Sequence, residues 1–485
     1  MISTYIGGQY KPLREDRIGR IHESSLRILE ETGVRVKNPD AVDIFTRAGA
    51  KVDADESIIR IPARLVEKTL KDAPAQIRLC GRDSSFDMTL GGSTVHMGTG
   101  GAALHVIDPE TDQARDGSLL DIANLARLVD KLDNVHFFIR PCSAQDVPAQ
   151  DLGVNEFYAA LSNTAKHVMG TGYTIEGTRN VLDMAAKIAG GRDTLVERPF
   201  ISFTLGWMNS PLTFDTELTT VLIEVLNQGI PVALSSAPMA GATAPITMAG
   251  VLTQLHAEEL AGITFCQLVQ PGAPVLYGGI PGMADMRDLS FKAGGVEFGL
   301  MNAAISQLAA YIGVPNYCSA GITEARIPSM QAIYEKTFSI CQCALAGANF
   351  IHHAAGVLES LLTVEYGQFV IDNEIIGMAL KMIQGIDVDE EHLAVEEIAE
   401  AGPGGNYLSS EHTLTHLRTE FLEPMLVPRE KRPETESFHE HEHLGVLQHA
   451  RKKASEIIQS HQPLALPQGA DPELRKKFRI HLPAR

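Results

Sequence analysis

Tryptophan occurs once, at Trp207, and aromatic residues make up only 6% of the chain. A cage built from many aromatic rings is therefore excluded. No run approaches the roughly 20 apolar residues that a membrane helix needs, and no membrane association is expected. The opening Met1-Ile2-Ser3-Thr4-Tyr5 has no basic segment followed by an apolar stretch, so no signal peptide is visible and a cytoplasmic location is expected. Six cysteines (Cys80, Cys142, Cys266, Cys318, Cys341, Cys343) are scattered rather than paired in a framework, as befits reduced thiols. Positive charge is in deficit: the net charge is −19. Nucleic acid is excluded as a partner, because phosphate binding needs a cationic face. Nucleotide cofactors also lack support. Gly98-Thr99-Gly100-Gly101 misses the third glycine of a dinucleotide fingerprint, and no P-loop pattern occurs.

What the 485 residues do contain is ordinary for a globular enzyme, 44% hydrophobic and 21% charged. Residues 1–90 read as a small α/β cap, with apolar residues at helical spacing (Ile18, Ile21, Leu26, Leu29) ending at Gly33. Over residues 91–371, short β-rich runs alternate with long apolar-periodic helices. Candidate strands begin near Val95, Val135, Lys166, Pro199, Ile230, Pro274, Val314 and Asn349. Strand–helix alternation implies parallel strands, and eight such units imply a closed α/β barrel of the (β/α)8 type. An open doubly wound sheet is the competing arrangement. Residues 372–485 read as a C-terminal helical extension packed on the barrel, the whole forming one compact unit.

Barrel enzymes place their sites at the C-terminal ends of the strands. That rule selects Gly98–Gly101, Arg140-Pro141-Cys142, Gly170–Tyr173, Leu205-Gly206-Trp207, Gly278–Pro281 with Asp285-Met286-Arg287, Ser319–Arg326 and His352–Gly356. Trp207 at a strand end could face a cationic ligand, and Tyr173 and Tyr277 could add walls; each is also a plausible packing residue. Arg287 and Arg326 suit a carboxylate through the guanidinium fork, unless Asp285 and Glu324 engage them. His352 and His353 are adjacent on a strand, so only one is expected to face the barrel interior, where it could hold a carboxylate. A structural role is open for either. No catalytic base is identified. Glu297 is expected to cap a helix.

Metal readings are weak. Cys341 and Cys343 diverge on a helix and have no matching pair nearby. His439, His441 and His443 would share a face only on a strand; a solvated segment is the simpler account.

Other residues resemble the trimethylamine methyltransferase family. They are Gly100-Gly101 to Asp108 with Arg115 and Asp121, Asn209-Ser210-Pro211-Leu212, Asp285-Met286-Arg287 with Glu297, and Gln331 and Glu335 ahead of Ala346–Asn349. The most specific block is Gly402-Pro403-Gly404-Gly405-Asn406-Tyr407-Leu408, followed by His412-Thr413, Arg418, Glu420 and Pro424. Asn406 stands where the family often has histidine. The matches run in consistent order along the whole chain. The family's namesake uses pyrrolysine, which this sequence lacks. The resemblance therefore implies the non-pyrrolysine branch, whose characterised members demethylate glycine betaine and related quaternary amines. It implies a methyltransferase that passes the methyl group to the Co(I) corrinoid of a partner protein and holds no cofactor or metal permanently. A homo-oligomer is expected. A zinc-dependent methyltransferase with a thiol acceptor and a non-catalytic betaine-binding barrel stand as alternatives.

Overall fold

The computed structural model describes residues 3–426 and 442–484, the first three of the second segment as backbone only. Eight parallel strands close into a barrel: β1 (His96–Thr99), β2 (Phe137–Ile139), β3 (His167–Thr171), β4 (Ile201–Leu205), β5 (Val232–Leu234), β6 (Val275–Gly279), β7 (Asn316–Ser319) and β8 (Phe350–Ala355). Each pairs with the next, and β8 returns to β1. The open-sheet alternative is thereby excluded. Every strand begins within two residues of its expected start, because β2 to β8 each follow a helix that stops at a turn and β1 follows the turn after the Met88–Leu90 strand.

Eight helices cover the barrel: α1 (Leu119–Asp130), α2 (Leu152–Leu161), α3 (Ile175–Ala189), α4 (Thr216–Asn227), α5 (Met248–Val269), α6 (Val296–Ile312), α7 (Met330–Leu345) and α8 (Tyr366–Gln384). Local chemistry sets their starts. Ser118 and Asp121 form a capping box at α1, and Thr174, Asp215, Thr247, Ser329 and Glu365 accept from first-turn amides of α3, α4, α5, α7 and α8. Helix α8 runs across the boundary expected at 371. At the start of β7 and β8, Asn316 and Asn349 each accept from the other's backbone N–H, at 3.0 and 3.1 Å, which pins the register of that pair.

The N-terminal segment does two things. Its helices Glu15–Arg27 and Ala63–Leu70 pack on α5. Its antiparallel hairpin, Ile77–Leu79 with Met88–Leu90, closes the N-terminal end of the barrel. The Cys80 amide donates to Pro199 and the Arg82 amide to Ala165, just ahead of β4 and β3. Ile77, Leu79, Met88 and Leu90 then join Phe137, Ile139, Met169, Leu276, Tyr317 and Phe350 in one apolar cluster. Phe137 and Phe350 stack inside it with centroids 3.6 Å apart. At the other end of the sequence, helix Glu442–Ser460 lies on α8 and α1. Arg451 from this helix pairs with Glu365 (2.9 Å) and Asp112 (2.6 Å). No helix of the described residues is long and apolar enough to cross a membrane.

Candidate active site at the barrel mouth

Above the apolar floor lies a cavity of about 200 Å³, and all eight strands contribute to its wall. Gly101 follows β1; Ile139 and Arg140 end β2; Thr171 ends β3. Thr204 and Gly206 come from β4, Ser235 follows β5, Ile280 follows β6, Tyr317 lies on β7, and His352 and His353 lie on β8. The wall is mostly neutral: hydroxyls, backbone, two imidazoles and a phenol. Arg140 is its only permanent charge.

Arg140 is held from behind. Its side chain is 11% exposed, and its Nε lies 3.0 Å from Glu156 Oε2 on α2. Its Nη1 donates to Ser143 Oγ at 3.3 Å. The Tyr173 ring sits 5.6 Å from the guanidinium carbon, and the Tyr173 hydroxyl donates to Glu156 at 3.0 Å. Burial pushes the Glu156 carboxyl above its usual range, with Arg140 acting in the opposite direction. Burial likewise raises the Tyr173 phenol.

On the opposite side, Tyr317 and His352 stack with centroids 4.0 Å apart and planes 15° from parallel. Tyr317 Oη lies 3.2 Å from His352 Nδ1, and Thr204 Oγ1 donates to Tyr317 Oη at 3.4 Å. His352 Nε2 is buried and has no partner. His353 Nδ1 lies 2.8 Å from Ser319 Oγ. Burial is the main force holding both imidazoles neutral: His352 falls well below its usual value, and His353 to about 3, helped by Lys336. Lys336 itself is fully enclosed, donating to the Gly321 carbonyl at 2.6 Å and pairing with Asp372 at 3.0 Å.

The two histidines correct one expectation. Strand alternation was expected to turn one of them outward, yet both line the cavity. The register of β8 against β1 shifts between Ile351 and Ala355, and His353 adopts φ 64°, so the alternation breaks at this bulge. Gly100 makes the bulge possible. A side chain there would come within 2.9 Å of the His353 backbone nitrogen.

The other expected site residues are placed elsewhere. Trp207 follows Gly206 but turns into the core, fully buried, 4.6 Å from Phe214 and against Gly262, where any Cβ would strike the indole. Tyr277 points outward from β6 into the helix layer, its hydroxyl 2.9 Å from His256 Nδ1. Tyr173 supports Arg140 from outside the wall. Arg287 and Arg326 have side chains 87% and 83% exposed, pairing with Asp285 (2.6 Å) and Glu359 (3.2 Å), and neither reaches the cavity. Both stand on long loops, where the guanidinium stays hydrated beside a local carboxylate. The strand-end rule marked Arg140 without giving it a role, and it passed over Glu156, Thr204 and Tyr317. For Arg140 a signal existed: a charged residue directly after the apolar run Phe137-Phe138-Ile139 has no loop to carry it outward. Of the histidine triplet, His439 and His441 lie outside the described residues, and His443 is described as backbone only.

Residues 4–480 match the family described as trimethylamine methyltransferase. The chain is 37% identical over 464 residues to trimethylamine methyltransferase from Desulfitobacterium hafniense strain DCB-2, covering 95% of this chain and 92% of that protein. It is 31% identical over 478 residues to the glycine betaine methyltransferase of strain Y51, covering 98% and 97%. The chain belongs to the trimethylamine methyltransferase family. It is a methyltransferase of that class. The fold also superposes on monomethylamine methyltransferase from Methanosarcina barkeri with a TM-score of 0.48 at 13% identity, covering 93% of this chain and 96% of that one.

Several of the residues that carry the family resemblance tie down loops that follow the barrel strands rather than line the cavity. Arg115 bonds Asp108 (2.8 Å) and Asp121 (2.7 Å), tying the loop after β1 to α1. Glu258 accepts from Ser210 Oγ (2.8 Å) and the Leu212 amide (2.9 Å), fixing the turn at the cis Ser210–Pro211 bond. Glu335 accepts from Thr323 (2.6 Å), Gln331 (2.9 Å) and the Glu324 amide (2.9 Å). Asn406 is exposed and accepts only from the Leu408 amide, at 3.2 Å, closing a local turn.

Proposed function

We propose that this methyltransferase takes a methyl group from a quaternary amine, glycine betaine or a related betaine, and passes it to the Co(I) corrinoid of a partner protein that docks at the barrel mouth. One observation carries the reading. The cavity is small and closed at its base, and its two imidazoles are neutral near pH 7. Its volume lies under the roughly 300–1,000 Å³ of sites for drug-sized ligands, which favours a compact amine. A quaternary nitrogen is already positive, so no proton has to be delivered to make it leave. The C–N bond breaks with its electron pair going to nitrogen, the amine leaves neutral, and the corrinoid supplies the pair that forms the new bond to carbon. The protein's task is then to orient the methyl carbon toward the mouth and exclude water. The hydroxyls of Thr171, Thr204 and Ser235 and the glycine backbone give a wall that positions without reacting. The acidic chain as a whole favours approach of a cationic head at long range.

The test is single-turnover methyl transfer with a cognate corrinoid protein reduced to Co(I), followed in the visible spectrum. Methyl-Co(III) is expected with glycine betaine or another betaine. Transfer from trimethylamine alone, or from no amine in the series, overturns the assignment.

A further inference from the structure

We propose that Arg140 and His352 together form the carboxylate subsite of the cavity, so that the enzyme selects amines by an acidic tail as well as by the methylated nitrogen. The proposal takes the identity of the amine from the methyl-transfer reading; the subsite itself is argued from geometry. The Arg140 Nε faces Glu156 at 3.0 Å but makes no hydrogen bond, its Nη1 donates to Ser143 Oγ at 3.3 Å, and its guanidinium also reaches the Tyr173 hydroxyl, so donors of the fork stay unused. A guanidinium carries five N–H donors in a planar fork, so one edge can stay on Glu156 while the other meets a second carboxylate. The Tyr173 ring and the Glu156 carboxylate keep the fork from swinging away.

The second donor follows from a proton relay. Tyr317 has one hydroxyl proton, and its oxygen already accepts from Thr204. With that acceptor site taken, the Tyr317 proton is free to go to His352 Nδ1 at 3.2 Å, and the proposal takes this direction. A neutral imidazole that accepts at Nδ1 carries its proton on Nε2. Nε2 is enclosed and has no hydrogen-bond partner, on a residue that lines the cavity. An unpaired buried donor is costly, and a ligand that accepts from it recovers that cost. The wall thus offers two donors without partners and no carboxylate of its own. An anionic oxygen pair satisfies both with opposite charge, whereas a hydroxyl accepts without charge and a methyl tail satisfies neither. A betaine also suits the charge balance, since Arg140 and Glu156 already neutralise each other and a zwitterion adds no net charge.

Calorimetric titration of the full chain without corrinoid protein separates the roles, using glycine betaine and choline, which share a trimethylammonium head. Arg140→Met should weaken glycine betaine about ten- to a hundredfold and leave choline within about twofold. Should the lone Glu156 prevent folding, Arg140→Met combined with Glu156→Gln removes both charges and must give the same selective loss. His352→Phe should weaken betaine several-fold, and His352→Gln, whose amide can donate from a similar position, should restore part of it. Nitrogen-15 shifts should place the His352 proton on Nε2 in the parent and show mixed tautomers in Tyr317→Phe. Unchanged betaine affinity in the arginine variants, an equal loss of choline, or a proton on Nδ1 overturns the subsite. Arg140-dependent betaine binding without methyl transfer would leave the subsite standing and remove the functional reading instead.

Discussion

The two ends of the barrel are built from the same kinds of residue and do opposite things. At the N-terminal end three buried histidines each have at least one ring nitrogen bonded within the chain. His96 bonds the Asn349 carbonyl, His136 accepts from the Met97 amide at 3.1 Å, and His167 bonds both the Cys80 carbonyl and Ser202. The Ile77–Leu90 hairpin then seals that end with aliphatic side chains over the Phe137–Phe350 stack. At the C-terminal end two further histidines are buried as deeply, yet His352 Nε2 and Arg140 Nε are left without hydrogen-bond partners on residues that line a cavity. Buried atoms without partners also occur in the packed core, Trp207 Nε1 among them, so such an atom points to a binding site only where its residue borders a cavity.

The largest effects should come from the packed regions and leave ligand binding alone. Trp207→Ala should lower stability by about 3–5 kcal/mol and Leu79→Ala by about 2–5 kcal/mol, through lost contacts and the void left behind. Denaturant unfolding measures both. The folded fraction should bind glycine betaine as the parent does, and a selective loss of betaine in Trp207→Ala would return that residue to the site.

Acid should act on both ends at once. Burial lowers His96 and His167 to about 4 and His256 and His353 to about 3, and it holds His136 and His352 well below their usual value. Above pH 6.5 these imidazoles are neutral folded or unfolded, and stability is intact. Below it the unfolded chain takes up protons that the folded chain refuses until about pH 3–4. Stability should therefore fall between pH 6.5 and about 4, by up to about 1.4 kcal/mol per pH unit for each imidazole. Unfolding titrations at pH 7.5, 6 and 5 check the slope; a flat profile would mean charged imidazoles in the fold. Betaine affinity should show no step near pH 6.5.

The smallest effect belongs to the exposed arginines. Arg287→Ala and Arg326→Ala should each leave stability nearly unchanged, because their ion pairs are solvated. Betaine titration of both variants should match the parent. A tenfold loss in either would move the carboxylate anchor from the cavity to the loops.

Eight strand starts were legible along the chain, since period and turn residues act over a few neighbours; the one cap expected, Glu297, stands in the first turn of α6 and makes no capping hydrogen bond. The wall of the site was legible only in part. Gly101, Arg140, Thr171 and Gly206 fall in the segments that the strand-end rule marks out, but the place of Arg140 directly after Phe137-Phe138-Ile139 does not say what holds its guanidinium inside while that of Arg287 is solvated. That difference depends on Glu156 and Tyr173, which reach Arg140 from α2 and from the loop after β3. Trp207 occupies a strand end as expected, and Gly262 on α5 decides that its indole enters the core.

The sequence by itself determined the barrel, the family and the chemistry expected of it, because repeated strand–helix units leave few ways to close. The tertiary structure alone decided which polar atoms remained unpaired. Those atoms are set by contacts between strands and helices distant in sequence, and by one bulge at His353 that turns two neighbouring side chains to the same face.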